Sequence, residues 1–267
     1  MTGNTVTRDD LRDTFLRLGL RRGGVVMLHS SLSEIGFVVN GALDVINAIL
    51  DVIGEDGTFV VPTHTGQLTD PADWQNPAVP GEDIERVRAS MEAFDPRLTA
   101  PRNRGIVPQT FLMYPKVFRS SHPLNSVAAC GRHSQLLTSH HPLDESEGPA
   151  SPTGVLYDLG GSILLLGVGL EACTGLHLAE FLAETPYLKE TKIKVLVHDE
   201  DGRRFHRLRR YPTTSKYFNK IRPDLVAIGA LRETSIGNTI ATLVDFAPAI
   251  DLAVKALRND PLYLISE

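Results

Sequence analysis

Apolar positions in the first third of the chain switch between two periods. Thr7 followed by Asp10 reads as an N-cap with an acidic first turn, which predicts a helix to about Leu20. The run VVMLH at 25–29 has the length and continuity of a buried strand, and TFVVP at 58–62 repeats the signature. Between them Leu43, Ile46, Ile49, Leu50 and Ile53 recur at helical spacing and Gly54 supplies the stop, so a helix is predicted over 41–54.

From His64 to about Arg104 neither period holds. Pro, Asp and Thr interrupt a segment that carries the only tryptophan, Trp74. A connection of that length is normally functional or disordered, and the anchors Trp74, Met91 and Phe94 favour a functional loop. Order returns with a short helix in VPQTFLMYP and a strand at the end of SSHPLNSVAACG. Ser151 at the N-cap, Pro152 at the first helical position and Gly160 past the end delimit a helix over 151–160. SILLLGVG, 162–169, is the most apolar strand and feeds a helix carrying His177. KIKVLVHDEDGRRFHRLRRY alternates on both sides of an Asp-Gly pair, as an antiparallel hairpin does. A helix near 217–230, a strand pair near 232–245 and a helix near 247–258 complete the pattern. The expected fold is one α/β domain over 1–267: a central mixed sheet flanked by helices, an antiparallel C-terminal subregion and a long functional loop near 64–104.

Composition narrows the function without choosing it. A hydrophobic fraction of 42% with 22% charged residues is that of an ordinary globular chain. The formal net charge of −5 disfavours a nucleic-acid partner and is compatible with a cationic one. Two cysteines, Cys130 and Cys173, form neither a disulfide framework nor a CxxC metal pattern. The first residues are charged throughout, unlike a signal peptide, and no apolar run approaches the roughly 18 residues of a membrane span. A cytoplasmic protein, monomeric or homodimeric, is expected.

Several clusters carry candidate chemistry. LHSSLSEIG ends a strand in Ser30, Ser31 and Ser33; hydroxyls and N–H groups at such a turn hold phosphate oxygens, or simply cap the next helix. His29 there has the default reading of a core histidine, and His122 precedes a proline, where the extended backbone lets an imidazole face a cleft. SHHPLDESEG groups His140, His141, Asp144, Glu145 and Glu147, the composition of a metal site and equally of a charged surface turn. LEACTGLHLAEFLAETPYL places His177 on an otherwise apolar helix, with Thr174 one turn before it and Glu180 one turn after. A core histidine, half a metal site and a general base all fit that spacing.

The blocks HSSLSEIGFVVNGALDVINAIL, GTFVVPTHT, RNRGIVPQTF, RSSHPLNSVAACG, ASPTGVLYDLGGSILLLGVG and TGLHLAE, in this order over about 25–185, resemble the aminoglycoside 3-N-acetyltransferase family. The resemblance implies the antibiotic N-acetyltransferase fold, distinct from that of GNAT enzymes. It also implies transfer of an acetyl group from acetyl-CoA, without a metal, to the 3-amine of an aminoglycoside, an antibiotic-resistance activity. By the same resemblance His177 is the general base. Thr174 donates to the thioester oxygen or leaving sulfur, and Glu180 orients the imidazole, with Asp224 or Glu233 as alternative acids. Ser30, Ser31, Leu32, Ser33, Arg104, Gly105 and Val107 are expected on the coenzyme. Asp70 and Asp95 lie in the family-like THTGQLTDPADW and AFDPRLT and are expected, with His64 and Trp74, on the acceptor. Three positions depart from the family pattern: Gln109 for glutamate, Cys173 for asparagine and Gly175 for serine. Two other functions are kept: an acyl-CoA-dependent N-acyltransferase for another amine in biosynthesis, and a metal-dependent hydrolase using His140, His141 and Asp144.

Overall fold

The computed structural model describes residues 5–189, 191–212 and 214–266. Helix α1 (Arg8–Leu18) starts on the predicted capping box, with the Thr7 hydroxyl and the Asp10 carboxylate each accepting from the other's backbone N–H. It is followed by β1 (Val25–Ser30), the one-turn α2 (Leu32–Ile35), α3 (Ala42–Ile53), β2 (Thr58–Pro62) and α4 (Ile84–Ser90). Next come α5 (Ile106–Phe111), β3 (Phe118–Arg119), β4 (Val127–Gly131), α6 (Ser134–Thr138), α7 (Pro152–Asp158), β5 (Ser162–Leu166) and α8 (His177–Leu182). The hairpin β6 (Lys194–Asp199) and β7 (Gly202–Arg207), then α9 (Arg222–Ala227), β8 (Leu231–Ile236), β9 (Thr239–Asp245) and α10 (Phe246–Asn259) close the chain.

Seven strands form one sheet in the order β3-β4-β2-β1-β5-β9-β8. The centre, β2-β1-β5, is parallel, and each side is completed by antiparallel strands. The expected mixed sheet is therefore present, but the antiparallel C-terminal part is divided. β6 and β7 form a separate two-stranded sheet, whereas β9 pairs with β5 and carries β8 into the main sheet. Ala241 and Leu243 of β9 are buried on one face of the sheet and Val244 on the other, so β9 lies inside the sheet with both faces covered.

The alternation of side chains sorts the central strands onto two faces. Val26, Leu28, Phe59, Val61, Leu164 and Leu166 pack against α1, α3 and α5. Val25, Met27, Val60, Ile163 and Leu165 pack on the other face with α7, α8 and α10. Continuing this parity to the carboxyl ends of β1 and β2 assigns His29 and His64 to the face of α8. The ladder runs past β2, since the N–H groups of Thr63 and Thr65 donate to Ser126 and Leu124 carbonyls, so Pro62 and His64 share one side.

The segment 64–104 is a packed element. It contains three short 3₁₀ turns and α4, and Thr69 bridges to Val195 on the hairpin. Leu68, Met91 and Phe94 join Val195, Val197 and Leu208 in a third, smaller core. The Arg119 guanidinium lies 4.9 Å from the Phe94 ring and donates to the Thr99 carbonyl, tying the segment to the sheet edge.

Candidate active site

A cleft of about 470 Å³ opens over the carboxyl ends of β1 and β2, the usual position for a ligand in a parallel α/β sheet. Ser30, Ser31, Leu32, Ser33, Arg104 and Gly105 line it, together with His29 and Ile106. Ser31 occupies the N-cap of α2 yet makes no side-chain capping bond; its hydroxyl lies 3.1 Å from that of Ser33. Simple helix capping thus does not account for these serines. Gly105 has φ +73°, which lets the backbone turn into α5 beside the cleft. Val107 is placed differently from the expectation: one residue beyond Ile106, it points into the sheet core and is 1% exposed.

His177 opens α8 and is 8% exposed, its ring edge-on to Phe218 at 4.8 Å. Its Nδ1–H donates to Glu180 Oε2 at 2.7 Å, and the Tyr187 hydroxyl donates to Glu180 Oε1 at 3.0 Å. Glu180 is fully buried. Because a carboxylate only accepts, Nδ1 carries a proton, and in the neutral ring the lone pair is on Nε2. Glu180 is therefore the partner of His177. Glu233 bonds Arg222 and Thr242 instead, and Asp224 is exposed on α9. Thr174 sits half-buried in the 3₁₀ turn that leads into α8. Its neighbour Cys173 is buried, which pushes its thiol up to about 12, so no thiolate stands beside the histidine. Gly175 is sterically required, since a Cβ there would come 2.8 Å from Ile163 Cδ1 and 2.9 Å from the Phe246 ring.

A second set of buried polar groups has partners that no local spacing announces. Glu147 is 4% exposed, accepts from the Thr153 hydroxyl at 3.2 Å and lies 3.5 Å from the Asn125 amide, which in turn accepts from Tyr211. Burial pushes the Glu147 carboxyl up to about 7, against the opposing pull of His177, Thr153, Arg104 and Asn125. Arg104 also donates to His64 Nδ1 at 2.7 Å. Burial and the neighbouring Arg104 charge hold His64 well below the usual histidine range.

The acceptor candidates are spread out. Asp70 is 2% exposed, caps the turn at 71–73 and accepts two nitrogens of Arg88, with Lys194 at 3.6 Å. It is neutralised within the chain, so its carboxylate fixes the 64–104 segment to the hairpin rather than facing a cleft. Asp95 accepts the backbone N–H groups of Arg97 and Leu98. Trp74 donates to Thr69 and borders a shallow pocket with Arg102 and Asn103. Burial alone would raise the Asp70 carboxyl, but Arg88, the Ala72 N–H and Lys194 outweigh it and hold it below the ordinary range. Stability from this group is present at neutral pH and lost as pH falls through about 4 and below. Asp70→Asn is expected to lower the melting temperature at pH 7 and to lose that effect toward pH 3, which thermal melts at both pH values measure.

The expected metal alternative lacks its ligands. His141 has both ring nitrogens engaged, Nδ1 with the Ser120 hydroxyl and Nε2 with the Ser146 carbonyl. Asp144 binds His206 and Arg209, and His140 is exposed. His122 accepts from the Leu124 and Asn125 N–H groups, fixing its loop. Among the described residues no three His, Cys, Asp or Glu side chains are grouped to share an ion. No helix of the described residues is long and apolar enough to cross a membrane.

Known proteins share this arrangement of elements. The family described as Aminoglycoside 3-N-acetyltransferase matches residues 27–258. The SPbeta prophage-derived aminoglycoside N(3')-acetyltransferase-like protein YokD of Bacillus subtilis is 34% identical over 255 residues, 95% of this chain and 93% of the relative. Its crystal structure superposes with a TM-score of 0.90 at 33% identity, covering 97% of this chain and 96% of that one. Aminoglycoside N(3)-acetyltransferase VII of Streptomyces paromomycinus is 35% identical over 274 residues, 95% of this chain and 92% of the relative. The structure of AAC-IIIb in binary complex with CoASH has a TM-score of 0.79 at 30% identity, with 96% and 97% covered. By sequence and by fold, the chain belongs to the aminoglycoside 3-N-acetyltransferase family.

Proposed function

We propose that this protein transfers the acetyl group of acetyl-CoA to the 3-amine of aminoglycosides in a ternary complex, with His177 as general base and no acyl-enzyme. The single observation that carries the mechanism is the Tyr187–Glu180–His177 relay, which leaves the Nε2 lone pair as proton acceptor. His177 takes the proton of the attacking amine, and Glu180 stabilises the imidazolium that forms. The serine hydroxyls of 30–33 and the Arg104 guanidinium, which line the cleft, suit the phosphates of the coenzyme, and Thr174, in the turn before His177, offers a hydroxyl to the leaving sulfur. Acetylation removes an ammonium charge from the drug, which is the basis of a resistance role exercised in the cytoplasm, where acetyl-CoA is supplied.

Thiol release from acetyl-CoA, followed across a panel of aminoglycosides and unrelated amines after chelator treatment, tests this reading. Release with aminoglycosides and product acetylated at the 3-amine is expected. Release with other amines alone would favour a biosynthetic acyltransferase, and loss of activity on chelation would favour the hydrolase.

A further inference from the structure

Two buried imidazole nitrogens on the face of α8 have no hydrogen-bond partner among the described residues: Nε2 of His29 and Nε2 of His64. The two side chains are 7% and 5% exposed, and leaving a buried polar group unpaired costs about 1–3 kcal/mol. Such a group persists where a ligand or water completes it. His29 lines the coenzyme cleft; His64 follows Pro62, another lining residue, on the same side of the extended chain.

For His64 the proton can be placed. The Nδ1 nitrogen faces Arg104 at 2.7 Å, and a guanidinium can only donate, so Nδ1 is the acceptor. The ring is neutral, held so by burial and by the Arg104 charge. Its single proton therefore resides on Nε2, where it points at no protein acceptor. His29 has no such partner to fix its tautomer. His64 and His177 thus present opposite faces of the same chemistry on one side of the sheet: an N–H held out by Arg104 and a lone pair held out by Glu180.

We propose that the His64 Nε2–H is the hydrogen-bond donor to the thioester carbonyl oxygen, stabilising the oxyanion formed when the amine attacks. The inference rests on the acetyltransferase reading and adds a catalytic residue to it. The amine nitrogen forms a bond to the carbonyl carbon, the C=O π pair moves to oxygen, and His177 takes the nitrogen's proton. When the oxygen pair returns, the C–S bond breaks with its electron pair going to sulfur, the amide is left, and the thiolate takes up the proton that His177 removed from the amine and departs as the thiol. His64 gives up no proton; it lowers the energy of the charged oxygen, a task worth about 10²–10³ in kcat for one donor elsewhere.

His64→Leu and His64→Gln separate this role from packing, because Gln offers an amide N–H at about the reach of Nε2 and Leu offers none. His64→Leu is expected to lower kcat by about 10²–10³ with little change in the acceptor KM, and His64→Gln to recover most of the loss. Coenzyme A binding by calorimetry and the melting temperature establish that each variant is folded. A leucine variant with wild-type kcat, or a folded glutamine variant as slow as leucine, overturns the proposal. Histidine nitrogen-15 spectra of the unaltered protein provide a check that needs no variant: Nε2 protonation of His64 supports it and Nδ1 protonation overturns it. Absence of thiol release by the unaltered protein would instead overturn the acetyltransferase reading itself.

Discussion

His177→Ala is expected to lower kcat by about 10²–10⁴, the ordinary worth of a positioned general base. It is also expected to lower stability, because His177 is buried against Phe218 and its loss leaves the buried Glu180 carboxylate with Tyr187 as its remaining side-chain partner. Creating a cavity and removing the hydrogen-bond donor of a buried carboxylate each cost on the order of a few kcal/mol. Turnover must therefore be expressed per folded molecule. His177→Gln resolves the two effects, since it refills most of the volume and can donate to Glu180 but has no titrating nitrogen. A partly recovered melting temperature with turnover still depressed is the expected outcome. Recovery of turnover in step with the melt would reduce His177 to a structural residue.

Glu147→Gln is expected to raise the melting temperature at pH 8 and to leave it nearly unchanged near pH 4. Burial lifts this carboxyl from 4.5 to about 7 in the folded chain. Below the unfolded value both states hold the proton and the group contributes nothing. Above it the unfolded chain ionises first, so the folded state loses stability as pH rises, and the penalty is complete above about pH 7. At 1.36 kcal/mol per unit the full penalty is about 3 kcal/mol, which a neutral amide avoids. The gain is reduced by any hydrogen bond to Thr153 or Asn125 that the amide fails to reproduce. Melts of both proteins across pH 4–8 measure it, and a difference independent of pH would mean that Glu147 does not titrate in this range.

The legible and illegible parts of this protein divide by sequence distance. The runs at 25–29, 58–62 and 162–166 are buried on both faces and became the parallel centre of the sheet, because nothing but a strand between helical layers accommodates them. The His177–Glu180 bond is equally local, three residues along one helix. The family-like segment around Asp70 points to the acceptor, but the place of this carboxylate comes from Arg88, 18 residues on, in α4, a short helix with no fully buried stripe to announce it. Glu147 was visible only as one acid among several. Its burial depends on Thr153 and on Asn125, 22 residues away, itself held by Tyr211 a further 86 residues along. Side-chain alternation in β1 and β2 was present in the sequence throughout, but the strand pairing was needed to show that His29, His64 and His177 share a face.

Gly175 carries a consequence for substitution. The related pattern has serine there, yet in this chain the space a Cβ would fill is taken by Ile163 and the rigid ring of Phe246. A serine placed at 175 in this chain would press on that pair, and one of the two side chains would have to shift to admit it. The turn that precedes His177 is thus fitted to its neighbours, and residue 175 cannot be exchanged independently of residues 163 and 246.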